Sequence, residues 1–403
     1  MKAYLFYLGC RVNQAEIEGI ASKLKEKGYE VVSSPEEADL IVVNTCAVTK
    51  EAERKSRQCI RKLRRLNPKA EIVVTGCYVE LVGDKVLELG ADRTFNNEEK
   101  YKVIEGNDKG RFFSISQGLF YHSRPFVKVQ DGCDANCSYC LIRALRGRSV
   151  SRPIEEVIYE VKGLISLGYD EVTIVGVHLG SYGRDIGSSL RELLERLLSL
   201  NGLKLLRLGS VEPFDLGDDF LELYKRFDNL APHLHLPLQS GSNRVLSLMR
   251  RPYTLERYLE LVFKLREIRD DFNVTTDIMI GFPTETDEDF LMTLKAIEEA
   301  NFGRVHIFTY SPRPGTDAFN LPSLPSKIVE ERLNAVKEKA LESALKFNQR
   351  FLGKVLEAFA LEDGSALLPH YVELSIVGEP PKGRWIKAFI EKATSFGLYG
   401  RVL

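Results

Sequence analysis

Short runs of β-forming apolar residues alternate with amphipathic segments along the first 95 residues of the chain. Three runs predict buried strands: AYLFYLG at 3–9, DLIVVNT at 39–45 and EIVVTG at 71–76. Between the first two, apolar residues at helical spacing predict a helix that stops at Gly28: Ile17, Ile20, Ala21 and Leu24. Because strands and helices alternate, we expect an open, largely parallel α/β sheet.

The same alternation resumes at residue 125 and continues to about residue 310. Six runs predict further strands: 125–132, 171–176, 204–210, 233–238, 272–281 and 303–311. The clearest helix follows Pro153, where apolar residues recur along one face. Six strands that are each followed by a helix fit a partial, TIM-like (β/α)6 barrel better than a flat sheet, although the spacing alone leaves both open.

Two irregular stretches divide the chain. Residues 98–124 are polar and poorly periodic, and SPRPGT at 311–316 precedes a charged helix near 326–350. The residues after 350 are strand-like, which predicts a small β-barrel. We therefore predict four parts: an N-terminal α/β domain at 1–97, a linker at 98–124, a barrel with its connecting helix at 125–350 and a β domain at 351–403.

The composition is that of a soluble globular protein. The 403 residues include 56 Lys and Arg against 57 Asp and Glu, and 44% are hydrophobic, which excludes wholesale disorder. No stretch approaches the roughly 20 apolar residues of a membrane span, and MKAYLFYLGC lacks a signal-peptide cleavage site. We therefore expect a cytoplasmic protein with no membrane partner, whose seven cysteines do not form a disulfide framework.

Cys133, Cys137 and Cys140 lie in GCDANCSYC, directly after a predicted strand, and we call residues 133–140 the CxxxCxxC segment. Soft thiolate ligands favour zinc or iron–sulfur. A structural zinc site needs a fourth protein ligand, and no CxxC pair follows in the sequence. Three ligands on a four-iron cluster would leave one iron open. The spacing, with an aromatic residue before the last cysteine, resembles that of radical S-adenosylmethionine (SAM) enzymes.

Cys10, Cys46 and Cys77, here called the N-terminal cysteine set, follow predicted strands in LGC, NTC and TGC. The carboxyl ends of parallel strands lie along one edge of a sheet, so these three thiols can converge. The alternative is three structural thiols, since cysteine is often buried. Three equivalent positions favour a second iron–sulfur cluster. We interpret Cys59, on the apolar face of a helix predicted at 49–66, as structural.

Further motifs occur with the two cysteine sets along the whole chain: LGCRVNQAEIE, VNTCAVT, VTGCYVE, QDGCDANCSYC, LHLPLQSGSNRVLSLMRRPYT, TDIMIGFPTETDEDF and YSPRPGT. In these motifs the chain resembles the methylthiotransferase family of radical SAM enzymes, which end in a TRAM-type β-barrel. The sequence departs from the family pattern at Arg143, where proline is usual, and at Thr284, which replaces the second glycine of GFPGET. Both departures are expected to change loop shape rather than chemistry. The short C-terminal barrel bears on how strongly that domain binds tRNA.

The resemblance implies two 4Fe–4S clusters and SAM as cofactors. The cluster of the CxxxCxxC segment would bind one SAM and reduce it, which releases a 5′-deoxyadenosyl radical. The cluster of the N-terminal cysteine set would carry or deliver sulfur, and a second SAM would supply the methyl group. An external electron donor and a sulfur source would be needed as partners.

Within the family, CRVNQ at 10–14 and VHLGSYG at 177–183 most resemble the enzymes that act on threonylcarbamoyladenosine in tRNA. The implied reaction methylthiolates carbon 2 of that nucleoside next to the anticodon (t6A to ms2t6A). Isopentenyl-adenosine in tRNA and an aspartate of a ribosomal protein are alternative substrates. A non-catalytic iron–sulfur protein that binds tRNA or transfers electrons is an alternative of another class. Four arginines are candidates to bind the threonylcarbamoyl carboxylate: Arg11, Arg143, Arg146 and Arg184.

Cofactor-binding candidates follow from the rule that residues at the carboxyl ends of barrel strands point into the site. They are Glu212, His235, Gln239 and Asp277. Gly176 ends a strand where the superfamily has its methionine-binding turn, so that backbone can approach the ligand. Tyr139 is placed to pack on the SAM adenine, with an ordinary core aromatic as the alternative. Each polar candidate has the alternative of stabilising its own loop, which we favour for His233.

Two basic runs are candidates for RNA binding. Residues 50–69 carry nine basic and two acidic side chains, and five arginines share the helix face opposite Cys59: Arg54, Arg57, Arg61, Arg64 and Arg65. The second run follows the CxxxCxxC segment: Arg143, Arg146, Arg148 and Arg152. A solvated charged surface is the alternative, but the positions beside the cysteines favour contacts to tRNA phosphates. The sequence leaves the oligomeric state open, with a monomer favoured.

Overall fold

The computed structural model describes residues 1–104, 111–120, 124–378 and 381–403. By its internal contacts the chain divides into two units: residues 1–136 with 140–209, and residues 137–139 with 210–403. Parts of the predicted linker, 105–110 and 121–123, lie outside the described residues. No helix in the described ranges is long and apolar enough to cross a membrane.

The first unit begins with a five-stranded parallel sheet in the order β2-β1-β3-β4-β5. Its elements are, in chain order, β1 (Lys2–Tyr7), α1 (Arg11–Glu26), β2 (Glu30–Val31), β3 (Leu40–Thr45), α2 (Lys50–Leu66), β4 (Glu71–Gly76), α3 (Cys77–Val82) and β5 (Arg93–Phe95). The three strands and two helices predicted in this region are confirmed to within a few residues at each end.

Strand β3 is buried along its whole length because helices cover both faces of the sheet. Leu40 and Val42 belong to an apolar cluster with residues of α1, whereas Ile41 and Val43 belong to a cluster with residues of α2. Neighbouring side chains of a strand point to opposite faces, so a continuous apolar run supplies both clusters. The sheet is therefore the rigid support for the loops that follow β1, β3 and β4.

The rest of the first unit contains a second parallel sheet, in the order β10-β9-β6, and a short antiparallel pair of β7 and β8. Its elements are β6 (Phe126–Lys128), β7 (Gln130–Asp131), α4 (Ile142–Arg146), β8 (Val150–Ser151), α5 (Ile154–Ser166), β9 (Glu171–Val175), α6 (Leu190–Leu198) and β10 (Leu205–Leu208). In α5 the predicted apolar face is buried at Val157, Val161 and Leu164.

The second unit contains a three-stranded parallel sheet in the order β11-β12-β13. Its elements are α7 (Asp218–Arg226), β11 (His233–His235), α8 (Asn243–Leu248), α9 (Leu255–Ile268), β12 (Asn273–Ile280), α10 (Asp287–Ala300), β13 (Arg304–Thr309) and α11 (Ser326–Asn348). Side-chain hydroxyls cap the first turns of α8, α9 and α10, where backbone N–H groups lack partners. The six strands predicted between residues 125 and 311 are thus confirmed.

The chain ends in a closed five-stranded barrel in the order β14-β15-β16-β18-β17. The strands are β14 (Val355–Ala360), β15 (Ser365–Leu367), β16 (Glu373–Val377), β17 (Trp385–Thr394) and β18 (Gly397–Val402). Phe347 and Phe351 pack into its apolar core, which also includes Leu374 and Ile390. The parallel sheets and this barrel confirm the predicted α/β fold class and the C-terminal β domain.

Seven short 3-10 helices complete the described elements: Pro35–Glu37, Gly83–Leu89, Lys100–Ile104, Leu179–Ser181, Pro213–Asp215, Asp317–Asn320 and Gln349–Phe351.

Candidate functional site

The N-terminal cysteine set lies at the carboxyl edge of the first sheet. Thr45 pairs with Gly76 at the ends of β3 and β4, so Cys46 and Cys77 are the next residues of two neighbouring strands. Cys10 is the N-cap residue of α1, three residues after β1, the other neighbour of β3. Parallel register thus places all three cysteines at one edge, as the sequence predicts.

The glycines that precede Cys10 and Cys77 allow other residues to approach closely. Gly9 has φ +93°, and a Cβ atom built on it would lie 2.6 Å from Cβ and 2.7 Å from Sγ of Cys46. Gly76 has φ +100°, and a Cβ atom there would lie 2.5 Å from Oδ1 of Asn44. The glycines in LGC and TGC are therefore required by close approach and by backbone conformation.

Two polar side chains that our sequence reasoning missed hold the loops of this edge. Asn13 donates from Nδ2 to the carbonyl oxygens of Leu8 at 2.7 Å and Thr45 at 3.1 Å. Ser56 of α2 donates to the carbonyl oxygen of Cys46 at 2.8 Å and accepts its backbone N–H at 3.3 Å. Both residues lie inside motifs or helices that the sequence identifies, but only the fold brings them to the cysteines.

The thiols of the set affect one another electrostatically. Burial, together with negative charge on Cys77 and Cys10, raises the pKa of Cys46 to about 11. Thiols in such surroundings stay protonated unless a metal centre or a cation stabilises the thiolate.

The donor set is of the kind that iron–sulfur clusters use, three soft thiols at one sheet edge. Among the described residues, no group of three His, Cys, Asp or Glu side chains is arranged to hold one metal ion. In a four-iron cluster each thiolate binds a different iron, so the sulfur atoms stand farther apart than around one ion. Three soft donors at one sheet edge, with glycine backbone beside two of them, suit that larger group.

Two cysteines of the CxxxCxxC segment belong to the first unit. Sγ of Cys133 lies 3.5 Å from Nδ1 of His178, a buried residue in the loop after β9. Sγ of Cys140 accepts the backbone N–H of Ile142 at 3.4 Å. Polar contacts to the sulfur are typical of thiolate ligands of iron–sulfur clusters. His178 lies in a motif that the sequence singles out, but the sequence assigned it no contact with a cysteine.

Cys137, Ser138 and Tyr139 belong to the second unit. Arg251 donates from Nη1 to Sγ of Cys137 at 3.5 Å and forms a bidentate ion pair with the predicted site residue Glu212. The ring of Tyr139 meets that of Phe282 edge to face, with centroids 6.5 Å apart. Arg251 is a polar contact of the segment that the sequence did not identify, although it lies in the quoted LMRRPYT motif.

The structure also brings together His235 and Asp277 in the second unit. Nε2 of His235 lies 3.2 Å from Oδ1 of Asp277, and Nδ1 lies 3.0 Å from the hydroxyl of Thr275. Gln239 has φ +69° and donates its backbone N–H to the carbonyl oxygen of Asp277. His233 is buried, with Nε2 3.0 Å from the hydroxyl of Thr275 and its ring centroid 4.7 Å from that of Tyr371.

Gly176 lies in the first unit, where the close approach of neighbouring atoms leaves no room for a side chain. A Cβ atom at Gly176 would lie 2.9 Å from Oε1 of Gln130 and 3.3 Å from Cα of Leu179. The Gln130 side chain accepts the backbone N–H of His178 at 2.8 Å, so this close approach fixes the loop that carries His178.

The basic candidates divide into exposed and structural residues. On α2, Arg61 and Arg65 are exposed, and Arg54 and Arg57 pair with glutamates of the same helix. Arg64 instead donates to the carbonyl oxygens of Gly90, Pro68 and Ala70, so it fastens the end of the helix. Cys59 packs beside the buried apolar face, in keeping with its structural interpretation.

The second basic run requires a correction. Arg143 and Arg148 are exposed, but Arg146 is 2% exposed and forms ion pairs with Glu16 and Asp131. Arg146 was predicted to contact RNA and to be a candidate for the substrate carboxylate, and both predictions are wrong because its guanidinium is enclosed by protein carboxylates. Arg152 is buried as well, beside Glu160.

Comparison with known proteins adds the family. Residues 2–95 match the family model described as Uncharacterized protein family UPF0004, and residues 127–297 match that of the Radical SAM superfamily. The Thermotoga maritima protein named threonylcarbamoyladenosine tRNA methylthiotransferase MtaB is 40% identical over 87% of this chain and 85% of its own length. This chain belongs to the methylthiotransferase family of radical SAM enzymes.

Other similar proteins include one named for a different tRNA nucleoside and one that shares only the fold. The Thermotoga petrophila protein named tRNA-2-methylthio-N(6)-dimethylallyladenosine synthase is 34% identical over 100% of this chain and 97% of its own. The solved radical SAM methyltransferase TsrM from Kitasatospora setae has a TM-score of 0.57 at 16% identity, over 79% of this chain and 77% of that chain, which shows the radical SAM fold. Membership makes the chain an enzyme with a 4Fe–4S cluster and SAM as cofactors, and it sets aside the non-catalytic alternative.

Proposed function

We propose that this enzyme methylthiolates carbon 2 of threonylcarbamoyladenosine in tRNA, next to the anticodon. The observation that carries the proposal is the 40% identity to the Thermotoga maritima enzyme named for that nucleoside. The relative named for dimethylallyladenosine is also similar, at 34%, so the isopentenyl-type substrate is the alternative to be tested.

We assign a 4Fe–4S cluster to each cysteine set. The N-terminal cysteine set is supported by the parallel register of β3 and β4 and by the close approach at Gly9. The CxxxCxxC segment is supported by its spacing and by the polar contacts of its sulfur atoms. Cys133, Cys137 and Cys140 would hold a cluster that, when bound, would supply the electron for reductive cleavage of SAM. Cys10, Cys46 and Cys77 would hold the cluster at which sulfur is delivered, and a second SAM would supply the methyl group.

The chain's own residues have positioning roles in this proposal. His178 and Arg251 orient Cys133 and Cys137 through their ring and guanidinium nitrogens. Glu212, His235, Gln239, Asp277 and Gly176 stay candidates for SAM binding, with Tyr139 for its adenine. The pairing of Glu212 with Arg251 and of His235 with Asp277 holds these side chains in fixed orientations.

Three arginines are proposed to bind the substrate carboxylate. Arg11, Arg143 and Arg184 are exposed in the first unit, and Arg11 lies over the ring of Phe126 with its Cζ 5.0 Å from the centroid. A guanidinium forms two parallel hydrogen bonds with a carboxylate, which an isopentenyl group lacks.

The RNA surface and the other partners are proposed as well. The exposed side of α2, with Arg54, Arg57, Arg61 and Arg65, and the exposed Arg143 and Arg148 are proposed to contact tRNA phosphates. An electron donor and a sulfur source act from outside the chain, and a tRNA substrate implies a reaction in the cytoplasm. We keep the predicted domain limits at residues 97, 124 and 350 as the proposed division among sulfur delivery, radical chemistry and RNA binding.

One experiment tests the substrate. The reconstituted enzyme is incubated under anaerobic conditions with SAM, sulfide and a reductant, with either threonylcarbamoylated or isopentenylated tRNA, and the nucleosides are analysed by mass spectrometry. We expect methylthiolation of the threonylcarbamoylated tRNA and little of the isopentenylated one. The reverse preference would overturn the substrate assignment. Product on neither tRNA, with product in a parallel incubation with ribosomal protein, would overturn tRNA as the substrate.

A further inference from the structure

Five charged side chains are buried together in the first unit. Of these, Arg146 was a candidate site residue in the sequence analysis, and the other four were not. We call all five the buried charge group: Glu16, Lys100, Lys128, Asp131 and Arg146. None is more than 3% exposed. They come from α1, the 3-10 helix Lys100–Ile104, β6, β7 and α4, which are distant in sequence.

Direct ion pairs join all five. Glu16 accepts from Lys100 at 2.6 Å, from Lys128 at 2.7 Å and from Arg146 at 3.1 Å. Asp131 accepts from Lys128 at 2.8 Å and from Arg146 at 2.9 Å. Each carboxylate therefore has at least two cationic side chains at ion-pair distance.

By formal charge the group does not balance among the residues that the structure describes. Three cations face two carboxylates, and the other described acceptors on these cations are neutral: Asn13 for Arg146, Asn44 for Lys100 and the backbone carbonyl of Arg111 for Lys128. A buried excess charge is costly unless an opposite charge lies near it. Replacing such groups by apolar side chains commonly keeps or raises stability, so stability alone does not account for the excess cation.

The N-terminal cysteine set lies next to the buried charge group, on the side of Arg146. Oδ1 of Asn13 accepts from Nη2 of Arg146 at 2.6 Å and lies 4.0 Å from Sγ of Cys10. Asn13 thus links the guanidinium of Arg146 to the sulfur atom of Cys10. An anion formed by these sulfur atoms would supply the missing negative charge.

We propose that the buried charge group is the counter-charge of the N-terminal cysteine set and that Arg146, acting through Asn13, is a positioning residue that sets the reduction potential there. The inference rests on the cluster assigned to this set under the proposed function. Reduction adds one negative charge to an iron–sulfur cluster, so a nearby buried cation favours the reduced state and raises the potential. The sulfur-delivering site would thereby be held in a defined redox state.

The test uses the full chain with Cys133, Cys137 and Cys140 replaced by Ala, so that only the N-terminal cysteine set can hold iron. Arg146→Met changes the net charge of the group from +1 to 0, and Glu16→Gln changes it to +2. The midpoint reduction potential, measured by anaerobic redox titration with electron paramagnetic resonance, is expected to fall in the first variant and rise in the second. Arg146→Lys keeps the charge and is expected to restore most of the shift. If the buried charge group had only a structural role, both substitutions would lower the stability of the protein, and the midpoint potential would not shift in opposite directions.

The outcomes separate the inference from its premise. If the starting variant binds no iron, the cluster assignment fails and the inference fails with it. If it holds a cluster whose potential is the same in all variants, the cluster assignment stands and the inference is wrong. Should Arg146→Met prove unfolded by circular dichroism, Lys100→Met removes the same charge from another element, and the same fall in potential is required of it.

Discussion

Arg251 donates a hydrogen bond from Nη1 to Sγ of Cys137 over 3.5 Å while it forms an ion pair with Glu212. Its guanidinium is buried beside the rings of Phe214 and Tyr253, with Cζ 5.7 Å and 5.2 Å from their centroids. Burial disfavours the charge, but the carboxylate of Glu212 raises the pKa of Arg251 well above its usual value. A permanent cation is thus fixed against one thiol of the CxxxCxxC segment.

Arg251→Met should destabilise the second unit. Removing one partner of a buried ion pair leaves the other charge uncompensated, which costs about 3 kcal/mol. Urea unfolding of the iron-free protein, followed by circular dichroism, measures the change. The double variant Arg251→Met with Glu212→Gln is the control and should regain most of the loss. A double variant as unstable as the single one would show that packing, and not charge, fixes this contact.

Replacing Cys10, Cys46 and Cys77 by Ala should separate two activities. The CxxxCxxC segment is left intact, so cleavage of SAM to 5′-deoxyadenosine should persist, whereas methylthiolated nucleoside should no longer form. Both products are measured in one reaction by liquid chromatography with mass spectrometry. The control is Cys59→Ala, since the Cys59 thiol packs beside the apolar core of the same unit. This variant should retain both activities. Methylthiolated product from the triple variant would contradict the sulfur-delivery role.

Arg61→Glu together with Arg65→Glu tests the exposed face of α2. If both side chains contact phosphates, tRNA binding should weaken and the slope of log K against log salt should become shallower by about 2. Fluorescence anisotropy at several salt concentrations gives both quantities. The matched control reverses two exposed cations of the second unit, Lys225 and Arg257, and should leave affinity nearly unchanged. Equal effects of the two pairs would point to overall charge rather than to a binding face.

Thr284→Gly should stabilise the protein. Thr284 has φ +67°, a conformation that costs a β-branched residue about 1–2 kcal/mol and glycine almost nothing. After the greater chain entropy of glycine in the unfolded state is subtracted, a gain of about 1 kcal/mol is expected in urea unfolding. Thr284→Ala keeps the Cβ atom and should gain much less. If alanine and glycine stabilised equally, the strain would lie in the threonine side chain and not in the backbone.

The sequence determined the local elements and the placement of the cysteines at strand ends. Apolar periodicity in DLIVVNT and EIVVTG defined strands because a strand buried under helices on both faces must be apolar throughout. Cysteines at equivalent strand ends implied convergence, since parallel strands finish at one edge, and Thr45 opposite Gly76 agrees with that reasoning. The spacing of the CxxxCxxC segment identified its superfamily. Cysteines that lie so close together in sequence can converge on one site with little help from the rest of the fold.

Tertiary structure alone decided which charges serve the surface and which serve the interior. Arg146 and Arg148 are two residues apart in one basic run, yet the first is buried among carboxylates and the second is exposed. Glu16 and Lys100 are 84 residues apart, and no short-range pattern links them. A buried charge depends on partners that the chain brings from distant elements, because only the complete fold fixes the desolvation of each group and the Coulomb energy that offsets it.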